Sequence, residues 1–339
     1  MKKKNKKIMF GIIGYGRFGK MWARHMSKYG QVFVYDRKTK TATDRGVITA
    51  DMSRVLSADI VFLSVPISNL ERLCRTISPL LNPKTLVADV CSVKTLPVRV
   101  LKNILPQNQP ILATHPLFGP DSEKINNGLG GFKIVVCKVS KAGPHGKKLM
   151  GIFKKMKLKV IFTSSQEHDR QMAKSQALVH FIGRGLAKLK LKPEEISTPD
   201  YDSLVRMNNM VNNDTRQLFF DMQNKNPYAA AVRRKLIRAL EELDKSAALG
   251  KNNLESLRES IEQTDASIIN LLSHRLKIIQ KIGKLKREQK LSLINLDRER
   301  RLLDLHHRLG KRGSLDPKFT DDVFRLIINH SRAVQKKKK

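Results

Sequence analysis

The sequence predicts an α/β protein of Rossmann type, built on a doubly wound parallel sheet and followed by two all-α helical regions. Three observations carry this. Short apolar runs alternate with helix-length segments through the first half. A G-x-G-x-x-G run stands directly behind the first of them. From about Ser164 the strand-like runs stop, and apolar residues recur at spacings of three and four instead.

The elements follow in order. Ile8–Ile13, Val32–Tyr35, Asp59–Val65, Thr85–Val90, Ile111–Thr114 and Lys133–Val136 read as buried strands. The early connections between them are long enough for crossover helices, which predicts a parallel sheet. Ser164-x-x-Glu167 resembles a capping box opening a long helix through Leu189, and Pro193 breaks it. A polar interruption at Gly250-Lys251-Asn252-Asn253 precedes another long amphipathic helix. The expected organisation is a basic tail over 1–7, a dinucleotide-binding domain over 8–163, a helical domain over 164–250, a second helical domain over 251–335 and a basic tail over 336–339.

With 66 Lys and Arg against 30 Asp and Glu, the 339-residue chain has a formal charge of +36. Lys2, Lys3, Lys4, Lys6, Lys7 and Lys336 to Lys339 account for 9 of it as solvated tails. So basic a chain suggests nucleic acid, anionic lipid or anionic small molecules as partners, and most of the excess, spread over all domains, has no site-level account. A hydrophobic content of 40% excludes a disordered polycation. Aromatic residues make up only 6% and are not interleaved with a Lys/Arg stretch, so no nucleic-acid stacking surface is expected. No apolar run approaches the roughly 20 residues that cross a bilayer, and Met1 to Lys7 is not built like a secretory signal. The expectation is a cytoplasmic protein without membrane or nucleic-acid partners. Cys74, Cys91 and Cys137, at unrelated spacings, read as buried thiols, and no metal site is expected.

In Gly14-Tyr15-Gly16-Arg17-Phe18-Gly19 the first glycine permits the tight turn and the second admits a pyrophosphate to the backbone. The third lets helix and strand pack closely. Asp36 lies 22 residues beyond Gly14 at the end of the second strand, placed for ribose hydroxyls. It favours NAD, whereas Arg37 and Lys38 would attract a 2′-phosphate, so NADP stays open. Ligands of open α/β sheets sit beyond the carboxyl ends of the strands. Ser64 in Ser64-Val65-Pro66, Ser92 and His115 fall there, and His115 is the acid–base candidate.

Asp89-x-x-Ser92-Val93-Lys94, His115-Pro116-x-Phe118-Gly119-Pro120-Asp121 and Glu167-His168-Asp169-x-x-Met172-Ala173 together resemble prephenate dehydrogenase, over about Ile8 to Ser246. The resemblance implies oxidative decarboxylation of prephenate to 4-hydroxyphenylpyruvate with hydride transfer to NAD. It implies that His115 accepts a hydrogen bond from the substrate 4-hydroxyl, that Ser92 orients His115, and that Lys94, His168 and His180 line the substrate pocket. His180 reads equally well as a packed helix histidine. The family's carboxylate-binding arginine falls on Met210, and Arg206, one turn earlier, is the substitute cation. The choice between prephenate and arogenate turns on this departure.

From Leu254 the positions Leu257, Ile261, Thr264, Ile268, Leu271, Arg275, Ile278, Ile282 and Leu285 continue a heptad seam. Arg275 and Lys286 share a face, being about three turns apart. Arg258 lies 17 residues before Arg275, roughly 25 Å along a helix, too far to share a small pocket with it in one chain. The segment from about Leu254 to Gln335 resembles the all-helical class of chorismate mutase, which implies an intertwined homodimer. By that resemblance Arg258 of a second copy and Arg275 hold substrate carboxylates, Lys286 and Gln335 face the ether oxygen, and Glu299 takes the ring hydroxyl. Asn295, Arg298 and Ser331 complete the pocket, with Asn295 replacing an aspartate often found there. The two resemblances together imply consecutive steps, chorismate to prephenate and prephenate to 4-hydroxyphenylpyruvate.

Overall fold

The apolar runs of the first half become strands because each is buried on both faces. A computed structural model describes residues 7–38, 41–42, 44–248, 254–292 and 295–336. In it, β1 (Met9–Ile13), β2 (Gln31–Tyr35), β3 (Val47–Thr49), β4 (Ile60–Leu63), β5 (Leu86–Asp89), β6 (Ile111–Pro116), β7 (Lys133–Lys138) and β8 (Lys159–Phe162) form one sheet of order β3-β2-β1-β4-β5-β6-β7-β8. Side chains alternate across it. Phe10, Ile12 and Phe62 pack on one face with Trp22 and Phe153, while Ile13, Val61 and Leu63 pack on the other with Leu70 and Leu101. The helices that cover these faces are α1 (Arg17–Met26), α2 (Met52–Leu56), α3 (Ile67–Ile77), α4 (Thr95–Ile104), α5 (Pro120–Ile125) and α6 (Gly143–Lys155).

The sheet departs from the expected parallel form at one side. β6 and β7 pair antiparallel, and β8 continues parallel to β7. The reason is local. Instead of a helix crossing the sheet, the chain leaves β6 through short α5 and returns through a turn with positive φ at Asn127, Gly128 and Gly131. β3 and β8 add to the predicted set; β3 has three residues and β8 is largely exposed, so neither is an apolar run of strand length.

Beyond the sheet come α7 (Ser165–Lys174), α8 (Gln176–Leu186), α9 (Pro199–Asn212), α10 (Arg216–Lys225) and α11 (Ala229–Ala248). Ser164 does cap α7, its side chain accepting from the Glu167 N–H at 3.1 Å. The single long helix expected here is two, because Ser175 leaves helical geometry with φ −108° and ψ −88°. The chain divides into two compact units between Leu240 and Glu241. The second contains α12 (Leu254–Glu288), α13 (Leu296–Arg312) and α14 (Pro317–Lys336). The Gly250–Asn253 interruption and most of both basic tails lie outside the described residues. Cys74, Cys91 and Cys137 are buried free thiols, and burial pushes Cys74 up to about 12.

Candidate active sites

The strand order reverses between β1 and β4, and the crevice of a doubly wound sheet opens at such a switch point. Gly14 follows β1 with φ +101°, and a Cβ there would sit 2.2 Å from the Ser64 carbonyl oxygen behind β4. A Cβ on Gly19 would sit 2.0 Å from the Gly14 oxygen, whereas one on Gly16 would meet nothing within 4 Å. Two glycines therefore close the loop onto the sheet, and the middle one leaves its outer face open to a ligand. A groove of about 770 Å³ runs past Gly14, Gly16, Asp36, Arg37, Lys38, Ser64, Val65 and Pro66. The Asp36 carboxylate accepts the Tyr15 and Lys38 N–H groups, each at 2.8 Å. Acid and cations share this groove, Arg72 among them. These residues fit a dinucleotide: a turn for the pyrophosphate at the start of α1 and a fixed carboxylate for the ribose.

A second cavity, about 410 Å³, shares Gly16, Ser64, Val65 and Pro66 with that groove. Arg17, Phe18, Ser92, His115, His180 and Met210 also line it. His115 comes from the end of β6 and is 2% exposed. Burial first, then the charges of His168 and Lys94, hold its pKa well below the usual histidine range, so the ring is neutral. Its Nδ1 lies 2.9 Å from His168 Nε2, and His168 Nδ1 lies 2.8 Å from Asp169 Oδ1. His180 is also neutral, pushed down to about 4 by burial and the Arg184 charge.

Several residues expected at this site are placed otherwise. Lys94 is fully buried and pairs with Asp89, its Nζ also donating to the Thr114 carbonyl at 2.6 Å. Its ammonium ties β5 to β6 and is not on the cavity wall, because an unpaired charge at that depth would be prohibitive. His168 stands behind His115 instead of lining the cavity. The described hydrogen bond of His115 goes to His168, not to Ser92. Arg206 is exposed, with its guanidinium 3.5 Å from Ser203 Oγ, and is not brought to the cavity that Met210 lines.

Residues that the sequence reading passed over are Asp169, Asp121, Asp214 and Asp221. The last three are on the wall, and Asp121 takes Arg17 in a two-pronged pair at 2.8 Å. Asp169 adjoins His168 in the quoted motif, and that adjacency was the available signal.

In the second unit, Arg275 of α12 donates to Ser331 Oγ of α14. Glu299 of α13 is gripped by Arg332 of α14 through a 3.0 Å Nε contact and a second, shorter one. The Arg332 hydrogen bond holds the Glu299 carboxyl below its ordinary range, against burial, and the charges of Arg332 and Lys286 act in the same direction. Gln335 packs beside Gly283, where a Cβ would meet its Cγ at 3.4 Å. Asn295 caps α13 by accepting the Arg298 N–H at 2.8 Å. Arg258 and the Arg298 side chain are exposed. Arg332 had no sequence signal beyond its place next to Ser331.

A dinucleotide cradle at the switch point, joined to a cavity with a neutral buried histidine, defines the first unit as a Rossmann-type dehydrogenase fold. Residues 22–135 match the prephenate dehydrogenase nucleotide-binding domain, and 257–336 match type II chorismate mutase. Within one chain, a match to the prephenate dehydrogenase nucleotide-binding domain thus precedes a match to type II chorismate mutase. Residues 185–265 also match the TYRAAT1-like C-terminal domain. Among relatives, arogenate dehydrogenase 1, chloroplastic, of Arabidopsis thaliana is 29% identical over 279 residues, covering 79% of this chain and 43% of that protein. The bifunctional chorismate mutase/prephenate dehydratase of Buchnera aphidicola is 34% identical over 87 residues, 26% of this chain and 23% of that one. The chain thus spans less than half the length of either relative. The crystal structure of prephenate dehydrogenase from A. aeolicus in complex with hydroxyphenyl propionate and NAD+ superposes with a TM-score of 0.57 at 18% identity, covering 81% of this chain and all of that one. No described helix is long and apolar enough to cross a membrane.

Proposed function

We propose that the chain is a bifunctional enzyme that rearranges chorismate to prephenate and oxidatively decarboxylates prephenate to 4-hydroxyphenylpyruvate. What carries the reading is the continuity of the dinucleotide groove with the His115 cavity through Gly16, Ser64, Val65 and Pro66. Gly14, Gly16, Gly19 and Asp36 would hold NAD, or NADP with Arg37, Lys38 and Arg72 on its 2′-phosphate. The bound dinucleotide supplies the acceptor for the hydride on the ring carbon that bears the 4-hydroxyl. His115, neutral and buried, accepts the hydrogen bond of that hydroxyl as its oxygen gains carbonyl character. The carboxylate leaves as carbon dioxide, its bonding electrons enter the ring, and the ring becomes aromatic.

In the second unit Arg275, Lys286, Glu299 and Gln335, with Ser331 in support, would clamp chorismate in its folded reactive shape. The rearrangement needs donors on the ether oxygen and no nucleophile. Arg258 of a second copy would complete the pocket, and the exposed seam residues Leu257, Ile261, Ile268 and Leu271 support a homodimer.

A second reading for the first unit is arogenate oxidation. Asp121, Asp214 and Asp221 line the cavity against one arginine, Arg17, and such a wall suits a substrate carrying an ammonium group. Supplying chorismate with NAD and following NADH and 4-hydroxyphenylpyruvate tests both steps. Prephenate accumulation without NADH would sink the prephenate step, and NADH on adding arogenate would then favour the second reading. Unconsumed chorismate would sink the mutase.

A further inference from the structure

Behind the cavity wall a chain of hydrogen bonds determines which nitrogen of His115 a substrate meets. It starts at Asp169, which is fully buried. Its Oδ1 accepts the Lys94 N–H at 2.7 Å and its Oδ2 the Thr95 N–H at 2.8 Å. Backbone N–H groups can only donate, so both oxygens act as acceptors, as those of a carboxylate do. Burial works to raise its pKa, but the bonds from His168, Thr95 and Lys94 outweigh it and hold the carboxyl below its ordinary value. His168 Nδ1, 2.8 Å from Oδ1, must therefore carry a hydrogen.

Burial keeps His168 neutral, lowering its pKa despite the opposing pull of Asp169. A neutral imidazole has one N–H, so His168 Nε2 is a lone pair. The atom 2.9 Å from it is His115 Nδ1, which accordingly carries the hydrogen of that ring. Only Nε2 of His115 is left for the cavity, as a lone pair. The reverse arrangement, with His168 donating to His115, would turn an N–H toward the cavity and remove the acceptor.

We propose that Asp169 and His168 are positioning residues that lock His115 in the Nδ1–H tautomer, so that its Nε2 meets the substrate hydroxyl as an acceptor. The role of Nε2 rests on the dehydrogenase reading; the tautomer does not. The same carboxylate anchors the start of α4, which follows the Ser92 loop, so one residue fixes both the helix and the histidine pair.

Nitrogen-15 NMR of the full chain with labelled histidine reads the tautomer without substrate. The expected spectrum has a protonated Nδ1 and an unprotonated Nε2 for both His115 and His168. In Asp169→Asn with the amide nitrogen turned toward His168 Nδ1, both rings reverse, and kcat for prephenate falls between about 10²- and 10⁴-fold. KM for NAD and the mutase rate stay unchanged.

Because Asp169 also holds two backbone groups, a pair at His168 guards against a folding defect. His168→Gln brings a carbonyl near the place of Nε2 and preserves the acceptor for His115 Nδ1–H, whereas His168→Leu cannot. The Gln variant should keep at least roughly tenfold more kcat than the Leu variant. A proton on His115 Nε2 in the native chain, or identical kcat and pH profiles for the two variants, would overturn the proposal. A chain with the Nδ1–H tautomer that fails to oxidise prephenate keeps the lock and sinks the dehydrogenase reading instead.

Discussion

The two units arrange their polar side chains in opposite ways. In the first, Asp89, Lys94, His115, His168 and Asp169 are withdrawn from solvent and bond to one another within one chain, with Asp89 Oδ1 left unbonded. In the second, Arg258 and Arg298 lie on solvent-facing helix surface, and the seam of α12 is open, with Leu271 69% exposed. A buried polar group without a partner costs several kcal/mol, so the sheet has to bring partners to most of these groups during folding. An open helix pays no such penalty and can leave the last part of its site to another surface. On the proposed reading the first site is a property of the fold, and the second a property of assembly.

The sharpest way to separate the two is at their central residues. His115→Gln removes the cavity-facing acceptor and should lower prephenate oxidation between about 10²- and 10⁴-fold, with chorismate consumption unchanged. Lys286→Ala should do the reverse, abolishing the mutase and sparing oxidation of added prephenate. Parallel loss of both activities in either variant would mean that the units do not act separately.

Assembly is tested on the seam. Ile268 is half-exposed in the chain, and Ile268→Glu would place an uncompensated charge in a dimer interface at a cost of several kcal/mol. Sedimentation should show loss of association through this unit, and mutase activity should fall and become steeply concentration-dependent. Oxidation by the first unit should stay within about twofold. A mutase indifferent to this substitution would remove the need for Arg258 of a second copy.

What the sequence disclosed tracks this contrast. The strands, the glycine loop, Asp36 and His115 were legible because each has a local pattern with one physical cause: burial on both faces, a positive φ at Gly14, a strand end at a switch point. The turn-back of β7 was hidden, since it depends on how Asn127 to Gly131 route the chain and not on the apolar run itself. Lys94 reads as a pocket residue through the family resemblance of the motif that holds it. Only the fold shows Asp89 and the Thr114 carbonyl closing around it, the latter from a separate strand. His168 misleads for the same reason: its partner is 53 residues away in the chain. In the second unit the face shared by Arg275 and Lys286 follows from helical periodicity, but the Glu299–Arg332 pair joins two helices at a register that no spacing rule predicts.

Acid should also distinguish the units. His180 is held near 4 against an ordinary 6.5, and His115 and His168 are lowered as well. The unfolded chain takes up these protons below 6.5 and the folded one does not, so stability falls as pH drops from 6.5 toward 4. His180 alone accounts for on the order of 3 kcal/mol over that window. Asp214, raised by burial, opposes this within the carboxylate range. Urea unfolding against pH, followed at Trp22 in the first unit, should show the slope, and His180→Phe should flatten it. A midpoint independent of pH would mean that these rings are charged in the folded state.

The smallest expected effect concerns Arg206. A cation on the right helix was needed once Met210 occupied the arginine position, and spacing alone made Arg206 the nearest candidate. Among the described residues its exposed guanidinium reaches Ser203 Oγ alone, at the edge of hydrogen-bonding distance, while Arg17 is on the cavity wall. Arg206→Ala should thus change KM for prephenate by less than about twofold and stability by less than about 0.5 kcal/mol. Steady-state kinetics with prephenate checks it. A KM raised tenfold or more would bring Arg206 to the substrate after all, and the first site, like the second, would then depend on a surface that one chain does not complete.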